Sequence, residues 1–272
     1  MKIAFVGGGN MGSALIAGLL KNGASCSDIA VIDPDPEKRA RMEREFQVST
    51  FGEMKPESVD CDAILLAVKP QQLCNVASSL AGMLKSQLVI SIAAGITAPD
   101  LSKWLGNYPR IVRVMPNTPA QVMKGVSALF ALPQVDAPGK AAAETILSSV
   151  GSTIWLEDEA KMDAFTALCG SGPAYVFYFL EAMTASAVEM GFEMESAKKM
   201  VLDTFSGSIA LALESTDEPR ILREKVTSPG GTTERAILEM EKNAVKHHIV
   251  RAIHAAKDRS VEMGIELGKA PC

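Results

Sequence analysis

The sequence lacks the cysteine pattern of a disulfide framework or of a zinc site. Its five cysteines are odd in number and scattered along 272 residues, and no two of them form a CxxC pair. A disulfide framework uses an even set of closely spaced cysteines, and a structural zinc site uses paired cysteines or histidines. We therefore expect no bound metal, and we expect reduced thiols in a cytoplasmic protein.

Long hydrophobic runs and an excess of positive charge are missing as well. No segment reaches the roughly 20 uncharged apolar residues of a membrane span, since the longest candidate, 173–190, carries Glu181 and Glu189. An apolar run already begins at residue 3, so we expect no signal peptide. The formal net charge is −5, and no basic cluster is interleaved with aromatic residues. We therefore expect neither nucleic acid nor a membrane as a partner.

A glycine motif near the N-terminus is the most informative feature that is present. The apolar run Ile3–Val6 leads into Gly7-x-Gly9-x-x-Gly12, and a helical pattern follows. In a dinucleotide-binding turn, the first glycine permits the turn, the second lets backbone approach the pyrophosphate, and the third lets the helix pack on the strand. A second apolar run ends at Asp33, where such domains carry an acid that bonds the ribose. The sequence thus predicts a dinucleotide site; the alternative is a glycine turn without a ligand.

Two sequence patterns divide the chain. The first half alternates apolar runs with amphipathic stretches, as in the βαβ units of a parallel sheet. The predicted strands are Ile3–Val6, Ile29–Ile32, Ala63–Val68, Leu88–Ile92, Ile111–Met115, Val126–Ala131 and Thr153–Leu156. The predicted helices between them are Met11–Lys21, Pro36–Glu45, Gln71–Leu84, Pro99–Leu105 and Asp136–Val150. Only helical patterns follow: Glu159–Leu168, Pro173–Met190, Glu195–Glu214, Pro219–Val226, Thr232–Lys242 and Val245–Leu267.

These patterns predict an α/β protein with two domains. Residues 1–157 form a Rossmann-type domain with a parallel sheet, and residues 158–272 form an all-α domain. Two of the helical stretches, 173–190 and 200–213, are apolar on nearly every face. A small helical domain cannot cover such helices from all sides, so we expect a partner subunit to cover them. The alternative is a central helix buried within one chain.

Special segments follow several predicted strands. Lys69-Pro70, Ala93-Ala94-Gly95 and 116–119 with Asn117 each come directly after a strand. Ligands bind at the carboxyl ends of strands in such sheets, so these loops predict a nicotinamide pocket. In the helical half, the loop 227–233 combines glycines with hydroxyls and opens onto a helix. It is either a carboxylate site at a helix N-terminus or an ordinary cap in which Thr232 or Thr233 bonds backbone donors.

Histidine, a common acid–base residue of active sites, is scarce. The three histidines, His247, His248 and His254, lie on the last predicted helix, and we interpret them as surface or packing residues. No Ser-His-Asp or Cys-His set is evident. Reduction of a carbonyl normally calls for a proton donor. A protonated C=N bond already holds its proton, so a pocket of hydroxyls and amides suits an imine better.

Six ordered segments closely resemble the pyrroline-5-carboxylate reductase family, along essentially the whole chain. They are Phe5–Gly12, Leu66–Pro70, Ser91–Gly95, Met115–Pro119, Gly170–Tyr175 and Val226–Thr233. The resemblance implies hydride transfer from NAD(P)H to L-1-pyrroline-5-carboxylate, which gives L-proline in the last step of proline biosynthesis. It further implies a homodimer through interlocked C-terminal helices, which can assemble into a decamer. In such dimers the substrate lies between one chain's Rossmann domain and the partner's helical domain.

The resemblance also implies roles for individual residues. Thr232 and Thr233 would hold the substrate carboxylate or ring, and the Thr233 hydroxyl would bond the ring nitrogen as the catalytic group. The other implied substrate-binding residues are Ser228, Gly230, Gly231 and Glu159. The expected cofactor-binding residues are Gly7, Gly8, Gly9, Asn10, Met11, Gly12, Asp33, Ala67, Val68, Lys69, Pro70, Ala93, Ala94 and Asn117.

For the coenzyme, one residue of the sequence and the habit of the family lead to different expectations. Asp33 should repel a 2′-phosphate and favour NAD. Family members usually prefer NADPH and tolerate NADH, and Lys38 and Arg39 start one turn into the next helix, within reach of a 2′-phosphate. We expect NADPH, with NAD as the alternative.

Two rival functions remain. A 3-hydroxyacid dehydrogenase would need a lysine early in the second domain, for which Lys161 is the nearest candidate, but the 227–233 loop has no part in that scheme. A non-catalytic dinucleotide-sensing module would keep the glycine turn and lose the substrate loop, and here both are intact.

Overall fold

The structure is a computed structural model that describes residues 1–268. It divides the chain into two compact units. The sheet unit comprises Met1–Ser171 and the segment from Ala256 onward; the helical unit is Gly172–Ala255. These compact units meet after Ser171 and after Ala255. The change in sequence pattern after residue 157 predicts a domain boundary there, and that boundary stays a prediction.

The sheet unit contains one eight-stranded sheet with the order β3-β2-β1-β4-β5-β6-β7-β8. Its strands are β1 Ile3–Val6, β2 Ile29–Ile32, β3 Ser49–Phe51, β4 Ala63–Leu66, β5 Leu88–Ser91, β6 Ile111–Met115, β7 Gly125–Ala131 and β8 Gly151–Trp155. β1 to β6 are parallel, as predicted. β7 runs antiparallel to β6, and β8 is parallel to β7. The connection between β6 and β7 is too short for the crossover that a parallel pair requires.

Eleven helices are formed by residues 1–268. They are α1 Asn10–Lys21, α2 Pro36–Phe46, α3 Pro70–Ala81, α4 Ala98–Trp104, α5 Ala137–Ser148, α6 Lys161–Phe165, α7 Gly172–Glu189, α8 Met194–Glu214, α9 Pro219–Lys225, α10 Thr232–Lys242 and α11 Val245–Gly268. The predicted helix 159–168 is shorter than expected, because α6 passes into a single π-helical turn, Thr166–Gly170. The starts of α2, α4 and α5 are fixed by side-chain caps from Asp35, Thr97 and Asp136.

The core of the sheet unit lies on both faces of the sheet. Ile3 and Phe5 of β1 pack in one apolar cluster with side chains of α1 and α5. Ala4 and Val6 pack in a second cluster with side chains of α3 and α4. Successive strand residues point to opposite faces, so the uninterrupted apolar run of β1 is explained by a sheet that is covered on both sides. This fold places the carboxyl ends of β1, β2, β4 and β5 along one edge.

The cysteines agree with the sequence only in part. Cys26, Cys61 and Cys169 are free thiols. Cys74 is disulfide-bonded, so the expectation of a reduced thiol is wrong at that position. Across residues 1–268, no three acidic, histidine or cysteine side chains form a group that could hold a metal ion. No helix in this part of the chain is both long and apolar enough to span a bilayer.

Candidate active site

The glycine turn between β1 and α1 separates two kinds of glycine. Gly7 has φ +106°, and a Cβ there would lie 2.7 Å from the carbonyl oxygen of Ala67. A Cβ on Gly12 would lie 2.9 Å from the oxygen of Gly7. A Cβ on Gly9, in contrast, would meet none of the described atoms within 4 Å. The fold itself requires glycine at positions 7 and 12. At Gly9 the fold would accept a side chain, and its absence leaves open space next to the turn.

The N-terminus of α1 opens onto that space. Its N-cap residue, Gly9, provides no side-chain cap within the described structure, unlike the caps of α2, α4 and α5. The first intrahelical hydrogen bond runs from the Ser13 N–H to the Gly9 carbonyl oxygen at 2.9 Å. The preceding N–H groups, of Asn10, Met11 and Gly12, are therefore available to an anion, and the helix dipole favours it. The residues present fit the pyrophosphate of a dinucleotide.

A cavity of about 500 Å³ lies beside this turn. Six of the predicted cofactor-binding residues line it: Gly7, Gly9, Asp33, Ala67, Val68 and Lys69. The sequence missed a second group of lining residues, which come from the segment after β3 and from α3: Gly52, Glu53, Met54, Gln72, Asn75 and Val76. A prediction of β3 would have placed residues 52–54 at this edge, but its three residues carry no clear pattern. Lys38 lines the same cavity.

The loop after β5 is packed against the end of α11. Ala93 is buried and Ala94 partly so, and Gly95 has φ +80°. A Cβ on Gly95 would lie 3.2 Å from Cδ1 of Leu267, and a Cβ on Gly264 would lie 3.1 Å from the Gly95 oxygen. Small residues on both sides therefore allow this close approach.

Asn117 is bound to the protein through its whole amide group. Its Nδ2 donates to the Cys169 carbonyl oxygen at 3.1 Å, and its Oδ1 accepts from the Val126 N–H at 2.9 Å. The side chain thus links the end of β6 to β7 and to the π-helical turn. Asn117 is in place near the carboxyl edge, as predicted, but its side-chain hydrogen bonds are made within the fold.

Glu159 lies in the sheet unit, just before α6. Its Oε1 accepts from Nη1 of Arg113 at 2.8 Å and from the Ala98 N–H at 2.7 Å. Arg113 is a buried residue of β6, and the sequence analysis did not single it out. That oxygen of Glu159 is therefore committed to the fold, and a substrate contact would have to use Oε2.

The threonine loop lies in the helical unit. Helix α10 begins at Thr232, its N-cap is Gly231, and no side chain of the described chain caps it. Gly230 has φ +71°, and its N–H donates to Oε2 of Glu234 at 2.7 Å. Thr232 is exposed and Thr233 partly buried. The ordinary-cap alternative for Thr232 and Thr233 is therefore wrong, and the first N–H groups of α10 are open to an anion.

The predicted site residues thus form two sets in different units. The cofactor set, with Glu159, belongs to the sheet unit, and Ser228, Gly230, Gly231, Thr232 and Thr233 belong to the helical unit. All three histidines are exposed on α11, which agrees with their interpretation as surface residues. The sheet, the glycine turn and the cavity at its edge define a Rossmann-type dinucleotide-binding protein.

Comparison with known proteins identifies the family. Residues 2–95 match a family described as NADP oxidoreductase, coenzyme F420-dependent, and residues 159–263 match the pyrroline-5-carboxylate reductase dimerisation family. Pyrroline-5-carboxylate reductase of Pseudomonas aeruginosa is 43% identical over 269 residues, which cover 98% of each chain. The chain belongs to the pyrroline-5-carboxylate reductase family, and it is an oxidoreductase.

Solved structures agree with this assignment. A pyrroline-5-carboxylate reductase of Coxiella burnetii is similar with a TM-score of 0.90 and 39% identity, covering 96% of this chain and 98% of that one. A pyrroline carboxylate reductase of Plasmodium falciparum with NADP bound has a TM-score of 0.87 and 31% identity, covering 97% and 98%. Predicted family, fold class and type of enzyme are confirmed. The match to the dimerisation family also shows a self-associating chain.

Proposed function

We propose that this protein reduces L-1-pyrroline-5-carboxylate to L-proline with a reduced nicotinamide coenzyme, as the last step of proline biosynthesis. The observation that carries the proposal is the open N-terminus of α10, which presents Thr232 and Thr233 at its first two positions. A fold with a coenzyme turn alone fits many oxidoreductases. A second helix N-terminus with free N–H groups and hydroxyls adds a place for a small carboxylic acid.

The threonine loop binds and orients the substrate. The free N–H groups of α10 and the Ser228 hydroxyl hold the carboxylate, while the glycines at 230 and 231 let backbone come close. The hydroxyl of Thr233 bonds the ring nitrogen. Because the iminium nitrogen already carries its proton, the loop has to position the ring and needs no strong acid. This scheme requires no histidine as an acid.

The turn between β1 and α1 holds the coenzyme, which supplies the hydride when bound. The N–H groups of Asn10, Met11 and Gly12 would bind the pyrophosphate, and the lack of a side chain at Gly9 would let it approach. The segments Ala67–Pro70 and Ala93–Ala94 line the remainder of the site. Asn117 supports the same edge through the hydrogen bonds of its side-chain amide to backbone groups of Val126 and Cys169. NADPH is the preferred coenzyme, since Lys38 lines the cavity and provides a cation for the 2′-phosphate.

Glu159 contributes to the substrate site mainly through position. Its Oε1 is occupied by Arg113 and the Ala98 N–H, so a direct contact with the substrate is limited to Oε2. The 3-hydroxyacid dehydrogenase alternative has little support. Lys161, which it would need as a proton donor, is an exposed residue at the start of α6, and the chain belongs to another family.

The active assembly is a homodimer through the C-terminal helices, which can associate further into a decamer, and the substrate site is shared by two chains. A cytoplasmic location is part of the proposal. The shared site is tested by mixing two impaired variants, Gly9→Ala and Thr233→Ala, after reversible dissociation, at an NADPH concentration that Gly9→Ala binds poorly. Random pairing should restore activity to about a quarter of the wild-type sites; no recovery would mean that each chain completes its own site.

The reductase activity is tested by NAD(P)H oxidation with racemic pyrroline-5-carboxylate. Thr233→Ala should lower kcat/KM by about 100-fold, because the iminium N–H loses its oriented acceptor. Thr145→Ala is the matched control, because that exposed hydroxyl bonds only Ala141 of its own helix. An inactive wild type would refute the proposal, whereas full activity of Thr233→Ala would refute only the role of that hydroxyl.

A further inference from the structure

The backbone of Gly8 is held at its N–H and at its carbonyl oxygen by the segment that follows β2. Its N–H donates to Oδ2 of Asp33 at 2.8 Å, in a buried hydrogen bond. Its carbonyl oxygen accepts from Nη2 of Arg41 at 3.0 Å. Asp33 follows the end of β2, and Arg41 lies on α2. Two oppositely charged side chains, eight positions apart in sequence, therefore fix the two peptide units that flank the Cα of Gly8.

Arg41 also reaches the next carbonyl of the turn. The same Nη2 donates to the Ser13 hydroxyl at 3.0 Å, and that hydroxyl donates to the Gly9 oxygen at 3.0 Å. The two carbonyls that precede helix α1 are thus both held by Arg41, one directly and one through Ser13. A group that fixes these carbonyls also fixes the N–H groups that follow them, since each peptide unit is planar.

The carboxylate of Asp33 is committed to the protein. Its second oxygen, Oδ1, accepts from the Asp35 N–H at 2.9 Å, and the residue is only 4% exposed. The ammonium group of Lys38 lies 3.7 Å from Oδ2 and so balances its charge. A carboxylate that selects against a 2′-phosphate must face the ribose with free lone pairs and unbalanced charge. Asp33 lines the cavity, but each of its oxygens already accepts a backbone N–H and Lys38 offsets its charge, whereas the Lys38 side chain is 47% exposed.

We infer that Asp33 and Arg41 are positioning residues that hold the backbone on both sides of Gly8 in the coenzyme turn, and that Lys38, not Asp33, determines the response to the 2′-phosphate. This inference rests on the coenzyme part of the proposed function. It removes the conflict between an acid at the end of β2 and a preference for NADPH, because the acid serves the turn and not the ribose.

The experiment measures the Kd of NADPH and of NADH by fluorescence titration of the purified protein, without imine. Asp33→Asn leaves one acceptor oxygen for two N–H donors, so both Kd values should rise about tenfold and their ratio should stay constant. Arg41→Met should raise both equally, and Arg41→Lys should recover part of the loss. Lys38→Gln should raise the Kd of NADPH alone, by about tenfold. Arg44→Met, an exposed arginine on the same helix, is the matched control and should change neither.

Three results would overturn the inference. Asp33→Asn would weaken NADH and tighten NADPH if the carboxylate contacted the ribose. If Arg41 had no part in the turn, Arg41→Met and Arg44→Met would show the same Kd values. If Lys38 did not contact the 2′-phosphate, Lys38→Gln would leave the ratio of the two Kd values unchanged. Should Asp33→Asn fail to fold, judged by circular dichroism, the Arg41 and Lys38 variants decide. A wild type that binds both coenzymes but does not reduce the imine would refute the reductase alone; one that binds neither would refute both.

Discussion

The two units of the molecule place their apolar side chains in opposite ways. In the sheet unit, strands and helices bury large residues such as Phe5, Leu15 and Ile90 almost completely. In the helical unit, the buried apolar residues are Ala187, Ala197 and Val201, while Phe177 is 62% and Leu213 is 82% exposed. Exposed apolar surface of this extent marks an interface. The sheet unit completes its core within one chain, whereas the helical unit leaves large apolar side chains exposed, and we propose that the dimer covers them.

The largest effect should come from a charge on the exposed face of α7. Phe177→Glu would place a carboxylate on an apolar face of α7 that we propose to be buried in the dimer, where an unpaired charge costs several kcal/mol. We expect monomers at micromolar concentration, a lower Tm and loss of reductase activity. Sedimentation velocity over a concentration series measures the dissociation.

The matched change in the sheet unit is Ile154→Glu. Ile154 is 48% exposed on the edge strand β8, so the same charge there should leave the assembly and the activity nearly as in the wild type. Equal effects of the two variants would mean that exposed apolar residues of α7 are no different from those scattered over the sheet unit.

A second effect separates fold from function within the glycine turn. Gly7→Ala introduces a Cβ at φ +106° and 2.7 Å from the Ala67 oxygen, so the free energy of unfolding should fall by about 3 kcal/mol. Gly9→Ala meets no such contact in the described structure and should retain its stability within about 0.5 kcal/mol. Its Kd for NADPH should nevertheless rise by about tenfold or more, because the methyl group points to the place where we propose that the pyrophosphate binds. Urea unfolding and coenzyme titration measure the two; a destabilised Gly9→Ala that binds NADPH normally would reverse the assignment.

A third effect compares ion pairs of the two units. Glu159→Ala removes the partner of the buried Arg113, and we expect a loss of about 3 kcal/mol, since an uncompensated buried charge is left behind. Glu224→Ala breaks an exposed pair with Arg220 on α9 and should cost about 0.3 kcal/mol. Both values come from urea unfolding at one protein concentration. A loss below about 1 kcal/mol for Glu159→Ala would show that the pair is not needed to hold β6 against α4 and α6.

The sequence predicted the parts of the fold that depend on local pattern. The β1 strand, the glycine turn and α1 were predicted because their periodicity and glycine spacing are contained in 20 residues. β3 was missed, since three half-exposed residues give no period, and the reversal at β7 was missed because strand direction leaves no mark in the apolar pattern. The family motifs predicted the residues of the threonine loop.

What sequence reasoning did not find are contacts between residues far apart in the chain. Arg113 and Glu159 are joined across 46 positions, and Asn117 and Cys169 across 52. Asp33 was interpreted as a ribose ligand from its position after β2. Its hydrogen bond to the Gly8 N–H, 25 positions away, depends on how β1 and β2 pair. Such partners are set by the tertiary fold, so a motif identifies the residue and the structure identifies what it bonds.

The smallest predicted effect concerns pH and belongs to the sheet unit. Burial raises the pKa of the Cys61 thiol to about 11 from its ordinary 9.0, and its Sγ contacts the carbonyl oxygens of Val59 and Ala63. The unfolded chain therefore loses this proton first as the pH rises. The stabilisation is complete below about pH 9 and is lost progressively between pH 9 and 11. Partial exposure of the thiol reduces the expected loss to about 1 kcal/mol.

Urea unfolding of wild type and Cys61→Ala at pH 7.5 to 10.5 separates the contribution of Cys61 from that of other groups that titrate at alkaline pH, such as Tyr108. The wild-type free energy should fall more steeply than that of the variant, and parallel curves would show that Cys61 titrates alike in both states. Residues 172–255 contain no cysteine, so this effect of a thiol on stability is confined to the sheet unit.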